Sequence, residues 1–328
     1  MRMKIIHICL SFSLFTFLLA ACMPSRAPAP ALTPITLQLL WNHNASSAGF
    51  YAADQNGYYA QEGLKINFIE GGAAVDLLSP LLNGTAQFGI ASADTLPLAR
   101  SEDKPVCAIA TIFRRSPIVF VSPADSGISR PQDFARKTIR ITPQVVVTLH
   151  TMMEKVGISS SQYTEVNLQS DLKTFESGQA SVWSIYLNNF GVTLQQAGFK
   201  LNVIYPDDYG VHFYGDTIFT TDDLIARNPD LVLRFLRATL KGYTFAVENP
   251  DAAAQMVSKY NVQADTKLET LKLLSSLPLI NTGEDHIGWM KPEIWAGMEK
   301  TLVEQGMVTK PLDVTQVYTM QFLEEIYK

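Results

Sequence analysis

The sequence predicts an α/β protein of two lobes, and three observations carry that prediction. Short β-branched runs alternate with helical patterns, Gly, Asn and Pro bound those runs, and the strand pattern stops and resumes late in the chain. Residues 35–40 read as the first strand, 49–61 as a helix ending near Gly63, 64–69 as the second strand and 73–82 as a helix. Strands follow at 88–91, 106–112 and 118–121, with a helix over 96–101. A second unit opens near Ser126 with a short helix at 131–136, a strand at 138–142 and a helix at 145–156 stopped by Gly157. Strands at 163–168, 182–186, 201–205 and 215–221 complete the pattern, and helices at 221–227 and 228–249 follow. Pro229 suits a first helical turn, and Leu236, Leu240, Tyr243 and Val247 form one apolar stripe. The alternation implies mostly parallel sheets.

Interruption and return imply two crossing segments, placed near 115–125 and 206–215. One lobe then holds residues 35–120 and 213–328, and the other holds 121–212. A cleft between such lobes is where a small molecule binds, by hinge closure.

The N-terminus has its own logic. Arg2 and Lys4 precede an apolar stretch over 5–21 that is short for a membrane span. It closes on Leu19-Ala20-Ala21-Cys22, which resembles the lipobox of bacterial lipoproteins. The expectation is a signal peptide over 1–21, a lipid on Cys22, and a Pro/Ala-rich tether over 22–34 that holds the body at the extracytoplasmic face of the cell membrane.

With 47% hydrophobic and 17% charged residues the chain is globular. Loss of Arg2 and Lys4 takes the net charge from −5 to −7, which argues against a nucleic-acid partner. After processing Cys107 is the remaining thiol, in an apolar strand, with no partner for an internal disulfide. His43, His150, His212 and His286 are scattered, so no metal site is expected. No GxSxG, Walker or HExxH motif is present, and Asp222-Asp223 read as helix-capping acids.

Aromatic residues at strand ends are more informative. Trp41, with Asn42, His43 and Asn44, follows the first strand, where open α/β sheets hold their ligands. Tyr186, Asn188, Asn189 and Phe190 end another strand, and Phe213, Tyr214 and Asp216 lie at the return crossing. Trp41 and Tyr186 are expected to stack on a flat heteroaromatic ligand, Asn44 and Asn189 to read its edge, and Tyr214 and Asp216 to join from the crossing. Trp183 points the other way if its strand alternates.

These residues carry a family resemblance. Leu37-Gln-Leu-Leu-Trp41-Asn-His-Asn44, Ala48-Gly-Phe-Tyr-Ala-Ala53 and Gly57-Tyr-Tyr-Ala-Gln-Glu-Gly-Leu64 are similar to the opening of the thiamine-precursor-binding family. Phe88-Gly-Ile-Ala-Ser-Ala-Asp94, Arg115-Ser-Pro117, Gly215-Asp-Thr-Ile-Phe-Thr-Thr-Asp-Asp223 and Asn228-Pro-Asp-Leu231 continue it, over about 36–300. The family comprises solute-binding proteins of ABC importers and related fungal pyrimidine synthases. The resemblance implies a type II periplasmic-binding fold, a vitamin ligand and delivery to an ABC permease with its ATPase subunits by a monomeric receptor. It also brings Ser92 and Asp94 into the ligand set.

Three departures refine the expectation. The synthases' cofactor-holding lysine and their histidine match Ala91 and Thr95, so no cofactor and no enzymatic activity are expected. The family's phosphate-cradling turn reads Thr142-Pro143-Gln144-Val145-Val146, where proline removes a donor, which disfavours a phosphorylated ligand. The family's Tyr…Asn-Glu-Pro motif reads Tyr186-Leu187-Asn188-Asn189-Phe190, and an amide in place of the glutamate suits an imide-like edge. Riboflavin is therefore preferred over a formylaminopyrimidine or hydroxymethylpyrimidine. A pyrimidine synthase, a sensor without transport and a sulfonate receptor are the rivals.

Overall fold

A computed structural model describes residues 31–308 and 312–328. The expected signal segment, Cys22 and the tether up to residue 30 lie outside the described residues. Among those described, no helix is long and apolar enough to cross a membrane.

The chain begins with β1 (Thr33–Gln38), α1 (Ala48–Gln55), α2 (Tyr58–Gln61), β2 (Leu64–Ile69), α3 (Ser79–Leu82), β3 (Phe88–Ser92), α4 (Thr95–Ser101) and β4 (Val106–Thr111). It continues through β5 (Ile118–Pro123), β6 (Thr138–Arg140), α5 (Val146–Lys155), β7 (Thr164–Val166), α6 (Leu172–Glu176), β8 (Val182–Tyr186), α7 (Val192–Gln196) and β9 (Leu201–Ile204). Then come β10 (Asp216–Thr221), α8 (Asp222–Arg227), α9 (Pro229–Glu248), α10 (Pro250–Met256), α11 (Thr266–Ile280), α12 (Pro292–Glu304) and α13 (Gln321–Ile326).

Two five-stranded sheets result, ordered β2-β1-β3-β10-β4 and β7-β6-β8-β5-β9. The chain changes sheet between Thr111 and Ile118 and returns between Ile204 and Asp216. The expectation of mostly parallel sheets is corrected here. β5 and β10, the first strand after each crossing, run antiparallel to both of their neighbours, because the chain enters each sheet from the opposite side. The remaining pairs, β1 with β2 and β3 and β6 with β7 and β8, are parallel.

Local chemistry explains the other differences. The helix expected over 49–61 breaks in two at Gly57, whose φ of 73° a helix does not admit. The helix expected over 73–82 shrinks to Ser79–Leu82, because Asp76 Oδ1 accepts from the amides of Leu78 and Ser79 and turns the chain. The first strand starts at Thr33, inside the stretch read as tether.

Packing ties these elements into a scaffold for the cleft. α1 lies against α9 at van der Waals limits: a Cβ on Gly242 would sit 2.2 Å from the Gly49 carbonyl oxygen. The contact fixes Phe50 on α1 and Tyr243 on α9, whose rings meet edge to face at 5.1 Å. In the second sheet Trp183 is buried with Phe175, Val119 and Leu194. It faces away from the cleft, as strand alternation requires.

Candidate functional site: the cleft between the sheets

A cavity of about 500 Å³ lies between the two sheets, a size ordinary for small-molecule sites. The first lobe contributes residues 40–44, Ser46 and Ser47 after β1, Phe50, Ile90, Ile112 and Asp216; α9 and α11 add Tyr243, Glu269 and Lys272. The second contributes Arg140, Thr142, Gln144, the N-terminus of α6, and Ser184 to Tyr186 with Asn189 and Phe190.

Trp41 stands where β1 has ended, half-buried, and lines the cavity. Its carbonyl accepts from Gly71 at 3.1 Å. A Cβ on Gly71 would meet the carbonyl oxygens of Leu39 and Leu40 at 2.3 Å, so only glycine permits that approach. Asn44 is committed to its own turn: Oδ1 accepts from Ser46 N at 2.8 Å and Nδ2 donates to Asn42 O at 2.9 Å. His43, which also lines the cavity, is within 2.6 Å of the Tyr51 hydroxyl through Nδ1, and burial holds its pKa below the usual histidine range.

On the opposing wall β8 runs into a five-residue π-helical turn, Leu187–Gly191, which carries Asn189 and Phe190 to the cavity. Such turns re-aim side chains at functional sites. The Asn189 amide lines the cavity and its carbonyl accepts from Thr193 Oγ1 at 3.3 Å. Tyr186 donates its hydroxyl to Asp216 Oδ1 at 3.2 Å. Asp216 is 7% exposed, and burial pushes its pKa up to about 7, against a partial downward pull from the Tyr186 hydroxyl. Burial and then the Asp216 charge raise the Tyr186 hydroxyl well above its ordinary value.

Three expected residues are not among those lining the cavity. Ser92 and Asp94 are buried and bonded to each other at 2.5 Å, with burial raising the Asp94 carboxyl. Tyr214 is buried against Trp295, and its hydroxyl accepts from Lys291 N at 2.8 Å. Trp41, Asn44, Tyr186, Asn189, Phe190 and Asp216 are brought together.

The sequence reading missed Arg140, Ser184, Tyr243 and the Glu269–Lys272 pair. Arg140 had a signal, a lone charge between Ile139 and Ile141 in a strand. The α11 pair has none, because no apolar stripe on that helix marks one face as buried. Side-chain hydrogen bonds that join the two lobes include Tyr186 to Asp216, Gln144 Nε2 to Ala73 O at 3.1 Å, Asn188 Nδ2 to Ser276 Oγ at 2.7 Å, and Gln305 Nε2 to Glu154 Oε2.

A family model described as NMT1/THI5 like matches residues 44–253. The chain is 27% identical to a riboflavin-binding protein, RibY, of Chloroflexus aurantiacus over 92% of this chain and 91% of that protein. It is 29% identical to a formylaminopyrimidine-binding protein of Halalkalibacterium halodurans over 76% and 77%. It is 23% identical to a 4-amino-5-hydroxymethyl-2-methylpyrimidine phosphate synthase of Legionella pneumophila over 89% and 92%. Among solved structures, the alkanesulfonate-binding protein SsuA of Xanthomonas axonopodis pv. citri superposes with a TM-score of 0.69 at 15% identity, covering 90% of this chain and all of that one. The fold is that of type II periplasmic-binding proteins.

Proposed function

Because the chain belongs to the NMT1/THI5-like family, we propose that it is the solute receptor of an ABC importer, closing over a flat, unphosphorylated heteroaromatic vitamin and handing it to the permease. The observation that carries this reading is the aromatic cleft of about 500 Å³ with Trp41 on one wall and Tyr186 on the other. Trp41 offers a ring face for stacking, Asn189 an amide for an edge, and Asp216 a carboxyl that can donate or accept near neutral pH. We place the receptor at the extracytoplasmic face, held by a lipid on Cys22.

Riboflavin is the preferred ligand, supported by the similarity to RibY over nine-tenths of both chains and by Asn189 and Phe190, which favour a larger ring with imide-like edges. The second reading, a formylaminopyrimidine, is supported by the similarity to a protein of that name. A pyrimidine synthase is disfavoured. Ala91 stands where the resemblance puts a lysine, and Lys272, the one lysine lining the cavity among the described residues, holds Glu269 at 2.8 Å.

Titrating purified protein with riboflavin, formylaminopyrimidine and an alkanesulfonate tests the reading. Tight binding of riboflavin is expected. Tight binding of the sulfonate alone moves the chain to another branch of the fold, and turnover of any bound compound ends the receptor reading.

A further inference from the structure

Arg140 ends β6 and is 4% exposed, yet it lines the cavity. Nε donates to Leu168 O at 3.0 Å and Nη1 to Ser184 O at 2.9 Å, so two carbonyls hold the guanidinium in place. A guanidinium has five N–H donors, and these two bonds leave the others free. Burial pushes its pKa down to about 10, with no neighbouring charge to counter it, so it is cationic at neutral pH.

The acids in the same cavity are already engaged elsewhere. Glu269 holds Lys272 and the Ala45 amide, Asp171 caps α6 through the Thr174 amide, and Asp216 takes the Tyr186 hydroxyl. A buried cation without a counter-charge is costly unless an acceptor reaches it. Two further features line the same cavity. Ser184 lines the cavity, and its Oγ is fully buried with no hydrogen-bond partner. Thr142, Gln144 and Val145 bring the positive end of α5 to the cavity.

Resting on the receptor reading above, we propose that Arg140 is a specificity-determining residue of the cleft. It reads a carbonyl or anionic acceptor edge of the bound ring and rejects rings that present only N–H donors there. Ser184 and Tyr186 are two residues apart on β8, about 7 Å along one strand face. The Trp183 ring lies under the guanidinium at 5.7 Å and, with the two carbonyls, fixes its position.

The test is titration of wild type, Arg140→Gln and Arg140→Lys with riboflavin and formylaminopyrimidine, beside ligand-free thermal unfolding of each. Glutamine is expected to weaken whichever probe binds roughly 10- to 100-fold, the loss of a charge-assisted hydrogen bond, and lysine is expected to restore part of it. In the wild-type complex the ring's own proton equilibrium should move toward its less positive form relative to free ligand, read by absorbance against pH. That measurement needs no variant and decides alone if Arg140→Gln does not fold. Equal affinity in folded wild type and Arg140→Gln, or an unmoved ring equilibrium, overturns this inference and leaves the receptor intact. If neither probe binds wild type, the vitamin reading of the cleft falls and Arg140 falls with it.

Discussion

Replacing Asp216 with asparagine should stabilise the ligand-free protein at alkaline pH and leave it almost unchanged in acid. Burial lifts this carboxyl from 3.8 to about 7. At about 1.4 kcal/mol per pH unit, that displacement is worth about 4 kcal/mol. Its folded value lies above the unfolded one, so the fold binds the proton more tightly than the open chain does. Asp216 therefore costs nothing below the unfolded value, and its burden grows as pH rises from 3.8 to about 7. Asparagine keeps the shape and can still accept from Tyr186 without ionising. Urea unfolding of wild type and Asp216→Asn at pH 4 and pH 8 reads the effect as a gain for the variant that is about 4 kcal/mol larger at pH 8. Asp94, whose carboxyl burial also raises, is present in both proteins and cancels in the difference. A difference that is the same at both pH values refutes the assignment of a desolvated carboxyl to the cleft.

Three other outcomes follow from the same contacts. Trp41→Ala should weaken riboflavin binding at least about tenfold, the equivalent of about 1.4 kcal/mol of lost stacking, and unchanged affinity in a calorimetric titration removes Trp41 from the ligand's surroundings. Gly242→Ala should lower stability by about 1–3 kcal/mol in denaturant unfolding, because the new methyl meets the Gly49 carbonyl and forces α1 away from α9. Cys107, buried and with its thiol pushed up to about 12 by burial, should resist a thiol reagent until the protein unfolds; rapid labelling of native protein contradicts its place in β4.

What was legible in the sequence depended on how local the cause was. β2 and β8 are read to the residue because turn signals bracket them, Gly63 before the one and Asn188-Asn189 after the other. Strand direction was illegible because it follows from the route of the chain between sheets, which no window of residues contains. The site was read where it follows a strand end, at Trp41 and at Tyr186 to Phe190, since those positions are set by local alternation. Tyr214 looked like a cleft residue and instead packs on Trp295, some 80 residues later, a partner that sequence proximity cannot reveal. Arg140 was passed over because a lone strand arginine reads equally as an outward-facing charge.

The seat of β10 between β3 and β4 constrains the order in which the protein can be made. Thr111 must wait for Thr217, 106 residues later, before the first sheet has its inner strand. At about 5–20 residues per second that delay is roughly 5–20 s of synthesis. All five strands of the second sheet emerge in the interval, within one unbroken stretch of chain. The half inserted in the middle can therefore assemble first, while β3 and β4, apolar along their length, stay exposed and in need of protection until the chain comes back.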